Sequence, residues 1–264
     1  MRRSRLFILI LIILTTLIAA GCSPEIRTDR DTLFQTSTIS ALMNGVYDGN
    51  MTVGQLRPYG DFGLGTFQTL NGEMLELDSI FYRANLDGSI TIVPDDTITP
   101  FAVVTFLDND KVISVNQQMD LDQLQSYIDG QLASQNLFYA VKIEGKFSYM
   151  KTRSMPEQTK PYPPLTEAVK HQQVTEFHDV EGTIVAFRCP PYVDGVNVPG
   201  YHCHFIDKAR KMGGHVLDLQ TTDVKITIDD TANFVMELPG TQGFYKVNLG
   251  TGAPAGLQQV EQGK

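Results

Sequence analysis

Residues 199–218, Pro-Gly-Tyr-His-Cys-His-Phe-Ile-Asp-Lys-Ala-Arg-Lys-Met-Gly-Gly-His-Val-Leu-Asp, constrain the fold more tightly than any other stretch of the chain. Side chains alternate across a strand, so Tyr201, Cys203 and Phe205 fall on one face and His202, His204 and Ile206 on the other. Polar residues and the Gly213-Gly214 pair then signal a turn, after which His215-Val216-Leu217 resumes a β-favouring apolar run. The chain therefore doubles back as a hairpin, and His215 can join the first two imidazoles. Three neutral imidazoles without a fourth protein ligand of comparable strength describe a catalytic zinc site, because an open coordination position admits substrate. Spacing alone leaves a second reading open, in which His-x-His on a strand is a pair of surface or hydrogen-bonded histidines. His171, in a helix expected at 165–172, and His178, near a strand start, read as ordinary polar positions.

The N-terminus carries a different kind of signal. Arg2, Arg3 and Arg5 precede an apolar run over residues 6–14, and the small residues Ala19, Ala20 and Gly21 lead into Cys22. That is the layout of an export signal over residues 1–22. Cys22 stands where a bacterial lipoprotein is cleaved and acylated, which makes it a candidate lipid anchor. An uncleaved membrane anchor is the alternative, although the run is short for a span of about 20 residues. Either way the folded part is expected outside the cytoplasm, as a membrane-anchored lipoprotein or a secreted protein. In that oxidising setting Cys189 and Cys203 either form one disulfide or stand as small buried apolar residues.

Residues 23–37 are polar and read as a tether. Beyond them, a formal charge of -9 with no basic stripe argues against a nucleic-acid partner. The glycines of Gly60-Asp61-Phe62-Gly63-Leu64-Gly65-Thr66-Phe67 lack G-x-G-x-x-G spacing and open no helix, so a phosphate cradle is not expected. Strands are expected at 74–77, 80–83, 89–93 and 102–107, and a hairpin at 138–143 and 146–152 turning on Glu144-Gly145. Helices are expected at 40–46, 120–134 and 165–172. The proline-rich segment 156–164 marks a boundary between an N-terminal α+β domain, 38–158, and a C-terminal α+β domain, 159–264, carrying the metal site. The second half offers strands at 181–188, 201–206, 215–220, 223–228 and 233–238. Strands do not alternate regularly with helices, so the expected class is α+β, with two domains, mixed and largely antiparallel sheets and few helices.

Three segments of the second half, Gly182-Thr183-Ile184-Val185-Ala186-Phe187, Gly200-Tyr201-His202-Cys203-His204-Phe205-Ile206-Asp207 and Gly213-Gly214-His215-Val216-Leu217-Asp218, resemble the α-acetolactate decarboxylase family. The glycine-rich segment from Gly60 to Phe67, Asn71-Gly72-Glu73, Phe81-Tyr82-Arg83, Thr99-Pro100-Phe101, Lys151-Thr152-Arg153 and Lys160-Pro161-Tyr162 match in the same order. The resemblance implies a zinc enzyme that converts 2-acetolactate to acetoin and carbon dioxide, on two α+β domains that associate as a homodimer. It puts the zinc ligands on His202, His204 and His215, an acidic site residue on Glu73 and a site arginine on Arg153. A second acidic residue belongs to the family's C-terminal tail. Here the tail after Asn248 is Gly-rich and departs from the pattern, with Glu261 as the candidate.

Those residue types suit the implied chemistry. Zn2+ can accept the electrons left when a 2-hydroxy-3-oxo acid loses carbon dioxide. Arg153 can hold a carboxylate or oxyanion with its planar fork, and Glu73 or Glu261 can deliver the proton. Each also has a plainer reading: Glu73 as a solvated turn residue, Arg153 as a surface strand residue, Glu261 as part of a frayed end. Two other functions compete, a cupin-like isomerase or oxygenase that also uses a His-x-His strand, and a non-catalytic exported binding protein.

Overall fold

Period-two apolar patterning folds into strands along most of the chain in the computed structural model, which describes residues 29–250 and 255–262. The export signal at 1–22, with Cys22, lies outside the described residues. The first half contributes β1 (Thr32–Thr36), β2 (Met51–Thr52), β3 (Phe62–Thr66), β4 (Glu73–Leu77), β5 (Ile80–Ala84), β6 (Ile90–Ile92), β7 (Ile98–Thr99), β8 (Phe101–Thr105) and β9 (Lys111–Val115). Longer strands follow: β10 (Phe138–Ser154), β11 (Gln173–Cys189), β12 (Gly200–Asp207) and β13 (Gly213–Thr231), then β14 (Asn233–Glu237). The α-helices are short: α1 (Ile39–Met43), α2 (Val53–Leu56), α3 (Leu121–Asp129), α4 (Leu165–Ala168), α5 (Gln242–Lys246) and α6 (Leu257–Gln262). None of the described helices is long and apolar enough to cross a membrane.

Two sheets carry the architecture. Seven strands form one in the order β14-β1-β8-β3-β4-β5-β6, and five form the other in the order β10-β11-β12-β13-β9. Among the described strands every pairing is antiparallel except β1–β14. In the second sheet β10 also bonds to β13, so four long strands close on themselves through β10, β11, β12 and β13. The largest apolar cluster draws Leu64 and Leu75 from the first sheet and Val185 and Ile206 from the second, so it cements one sheet to the other. A separate cluster holds Leu124 and Ile128 of α3 with Ile184, Phe205 and Ile226 of the second sheet. The α+β class and the largely antiparallel sheets agree with the expectation from sequence.

Several local expectations are revised. The polar tether gives way before residue 37, because Leu33 and Phe34 point to opposite faces of β1 and both are buried. An interior strand covered on two sides is apolar on successive residues, which hides its alternation. Glu144-Gly145 is not a turn: β10 runs straight through it, with Glu144 opposite Thr183 and Gly145 opposite Gly182. Glycine is needed there because a Cβ would collide with the Asp223 carbonyl of β13. Residues 215–220 and 223–228 likewise belong to one strand, bent at register shifts against β10. The helix expected at 120–134 stops at Asp129; a capping box between Asp120 and Gln123 starts it and Gly130 follows its end. Sheet membership crosses the 158/159 division, since β9 and β10 join β11–β13 while β14 joins β1. Cys189 and Cys203 are free, buried and in different apolar clusters, and burial pushes both thiols up to about 12.

One buried group works against stability. Glu76 on β4 is fully buried and neither carboxylate oxygen has a hydrogen-bond partner among the described residues. Burial pushes its carboxyl well above the usual range, Asp61 pushes the same way and Arg57 opposes. The folded chain thus keeps a proton that the unfolded chain releases above a pH of about 4.3. Stability contributed here is full below that value and falls as pH rises toward the folded pKa. Glu76→Met keeps the length and removes the acid. Thermal melts should show the variant more stable at pH 8 by about 1–3 kcal/mol, with the gap closing toward pH 4.

Candidate active site

The alternation of β12 sends His202 and His204 toward the first sheet while Cys203 and Phe205 join the cluster on the opposite face. The turn after Asp207 sets the register of β13, which places His215 directly opposite His204. On its other edge β13 pairs with β10, and there His215 lies opposite Arg153. Strand closure therefore lines up His204, His215 and Arg153 as cross-strand neighbours. The first sheet supplies Glu73 at the start of β4, and α6 carries Glu261 in from the C-terminal end. All six side chains are buried.

The three imidazoles pack with ring centroids 4.9, 5.1 and 5.3 Å apart, and one nitrogen from each falls within 4.8 Å of the others. Two hydrogen bonds dictate which nitrogens face inward. A carbonyl can only accept, so His204 Nδ1 donates to the Met74 carbonyl at 2.7 Å and leaves the Nε2 lone pair free. Likewise His215 Nε2 donates to the Glu261 carbonyl at 2.7 Å and leaves Nδ1 free. Second-layer bonds of this kind are how metal-ligating histidines are oriented. His202 Nε2 lies 3.2 Å from His204 Nε2. Two nitrogens bonded to one tetrahedral zinc at about 2.0–2.1 Å would be about 3.3 Å apart, so the spacing fits a shared ion. Glu261 Oε2 has no hydrogen-bond partner among the described residues and lies 3.5 Å from His202 Nε2, within reach as an oxygen donor.

Burial sets the charge states. It drives His202 down to about 3, with the Arg153 charge adding to the effect, and pushes His204 and His215 well below the usual histidine value. The rings are neutral, as ligation requires. Burial raises Glu73 to about 7 against the pull of Arg153, and raises Glu261 to about 7 in the same way. A divalent cation among the rings would draw both carboxyls back toward their ionised forms. Glu73 Oε2 stands 3.7 Å from His204 Nε2, and its Oε1 is 4.0 Å from Arg153 Nε. Arg153 Nη1 donates to the Val260 carbonyl and, at 3.4 Å, to Gln172 Oε1, while Nε has no hydrogen-bond partner among the described residues. Glu73, Arg153, His202, His215 and Glu261 line one cavity of about 30 Å³.

All six residues singled out from sequence thus converge. His171 and His178 do not join them; both are exposed, and His178 packs its ring on Tyr149. Sequence reading missed the carbonyls of Met74, Val260 and Glu261, which no residue type announces because every residue carries one. It also missed Leu70, which lines the same cavity and whose apolar character resembles any core position.

Perturbed carboxyls, neutral imidazoles and a guanidinium gathered around an interior cavity define an α+β enzyme. The profile of the family described as Alpha-acetolactate decarboxylase matches residues 33–251. An alpha-acetolactate decarboxylase of Methanosarcina mazei is 49% identical over 232 residues, covering 88% of this chain and 81% of the relative. That of Bacillus subtilis is 42% identical over 217 residues, covering 82% and 85%. The crystal structure of alpha-acetolactate decarboxylase from Bacillus subtilis strain 168 superposes with a TM-score of 0.85 at 40% identity, covering 88% of this chain and all of that one. This chain belongs to the alpha-acetolactate decarboxylase family.

If the three rings share one ion, replacing His202, His204 or His215 by Ala will weaken zinc binding by about 100-fold or more. Competition against a chromogenic chelator measures this.

Proposed function

We propose that this chain decarboxylates 2-acetolactate to acetoin and carbon dioxide, with zinc held by His202, His204 and His215. The observation that carries the reading is the convergence of three imidazoles, one nitrogen of each within 4.8 Å of the others, with two buried carboxyls and one guanidinium, all but His204 lining a single cavity, in a chain of this family. Zinc held there would supply the Lewis acidity that takes up the electron pair released as the bond between the carboxyl carbon and C2 breaks. Arg153 orients the substrate: its Nε, without a hydrogen-bond partner among the described residues, and its planar fork suit a carboxylate, and the Val260 carbonyl and Gln172 hold the guanidinium in place. Glu73, beside His204 and Arg153, then delivers a proton to C2 on one face, which makes the product chiral. Glu261 stands beside His202, as an oxygen donor to the ion or a second proton carrier. Buried surroundings keep water from competing for these groups. The oxygenase, isomerase and binding-protein readings have no observation in their favour that this one lacks.

We further read the chain as exported, anchored by lipid at Cys22 or secreted, and as a homodimer; the support is the Arg-rich apolar N-terminus and the family resemblance. Cys22→Ser should shift the protein from the membrane to the soluble fraction, and the detergent-extracted protein should size at twice the chain mass.

The reaction itself is tested by incubating metal-free and zinc-loaded protein with racemic 2-acetolactate and measuring acetoin. Zinc-loaded protein should form it and chelated protein should not; no acetoin above the spontaneous rate overturns the reading. Glu73→Gln should lower kcat by about 10²–10⁴ while retaining bound zinc.

A further inference from the structure

Apolar side chains line the same cavity, among them Ile39, Leu42, Leu70, Phe101, Met155 and Leu165. Leu70 differs from the others in how its backbone is held. Thr69 has φ 62° and ψ 18°, and Leu70 has φ 60°, so two consecutive residues with side chains occupy left-handed space. Residues other than Gly, Asn and Asp avoid that region because Cβ crowds the following carbonyl. The turn is clamped from two sides. Thr69 N–H donates to the Tyr47 carbonyl at 2.9 Å, Gln158 N–H donates to the Thr69 carbonyl at 2.7 Å, and the Thr69 hydroxyl donates to Glu157 Oε1 at 3.0 Å. Gln68 is fixed in turn by Gly49 N–H and Asp48. Gly72, at φ 82°, completes the turn and leads straight into Glu73. Strain persists only where surrounding structure over-determines it, and it concentrates at working sites.

We propose that Leu70 is a specificity-determining residue: its clamped left-handed turn holds the side chain in the cavity and limits the size of the alkyl groups the substrate can carry. The inference rests on the decarboxylase reading for the identity of that substrate. A 2-hydroxy-3-oxo acid presents its carboxylate, hydroxyl and ketone to the polar side chains of the site, which leaves its alkyl groups to the apolar ones. Leu70 stands three residues before Glu73, so one turn positions both the wall of the alkyl subsite and the proposed proton donor. In an apolar pocket that fits its ligand, a single methylene is worth about 10–200-fold.

The test compares wild type with Leu70→Ala in the zinc-loaded full chain. Calorimetry measures binding of 2-hydroxy-2-methylpropanoate and 2-ethyl-2-hydroxybutanoate, which are not turned over. The affinity ratio should move toward the larger acid by about tenfold or more. In parallel, one reaction containing racemic 2-acetolactate and its 2-ethyl homologue gives a product ratio that is independent of how much protein is folded, and it should move the same way. Leu77→Ala, equally buried in the same apolar cluster but outside the cavity, serves as the control and should leave both ratios unchanged. An unchanged binding ratio in Leu70→Ala, or an equal shift in Leu77→Ala, overturns the proposal. If Leu70→Ala does not accumulate, Leu70→Cys, smaller than leucine and unbranched at Cβ, must show the same direction. Absence of acetoin from the wild type would overturn the decarboxylase reading, while the binding ratio would still decide the role of Leu70.

Discussion

The cross-strand register of β12, β13 and β10 is the constraint on which the rest depends. It sets His204 opposite His215 and His215 opposite Arg153, so three functional side chains from three strands stand in one row. A slip of one residue would turn every one of them to the other face of its strand. Closure of the sheet through the extra β10–β13 pairing removes the freedom for such a slip, because each of the four strands is bonded on both sides. The long strands and the bends of β13 are thus requirements of the site as much as of the fold.

Burial then gives these residues their chemistry. Histidines in water would be partly protonated and disordered, whereas here low polarity strips the charge and two backbone carbonyls decide which nitrogen looks inward. The same desolvation lifts Glu73 and Glu261 to where a carboxyl can hold or release a proton at neutral pH, and the Arg153 charge keeps both from rising further. Glu76 experiences the same desolvation in the same strand as Glu73, yet its carboxyl has no hydrogen-bond partner among the described residues. The contrast separates a site from mere burial: what differs is the convergence of complementary groups. The C-terminal helix contributes twice, since Glu261 presents both its carboxyl and its carbonyl to the cluster and Val260 accepts from Arg153.

Local patterning made much of this legible. The two-residue spacing of His202 and His204, and the turn before His215, are short-range facts that survive in any context where 200–207 is a strand. The acidic and basic members were legible through motif resemblance, because nothing about an Asn-Gly-Glu turn or a Thr-Arg pair announces burial. Element types were read better than their extents. Glu144-Gly145 looked like a turn, yet a flanking strand on each side keeps it extended, and a doubly covered β1 looked like tether.

By itself the sequence determined the α+β class, the strand character of the histidine segment and the residue types available for chemistry, since each depends on neighbours a few positions apart. Tertiary structure alone decided that β10 and β11 share a sheet across the proline-rich segment, that the tail brings Glu261 to His202, and that Met74 orients His204 from 130 residues away. Those contacts join groups distant in the chain, and their energies come from burial and backbone hydrogen bonding, which any sequence offers at every position and no local pattern can rank.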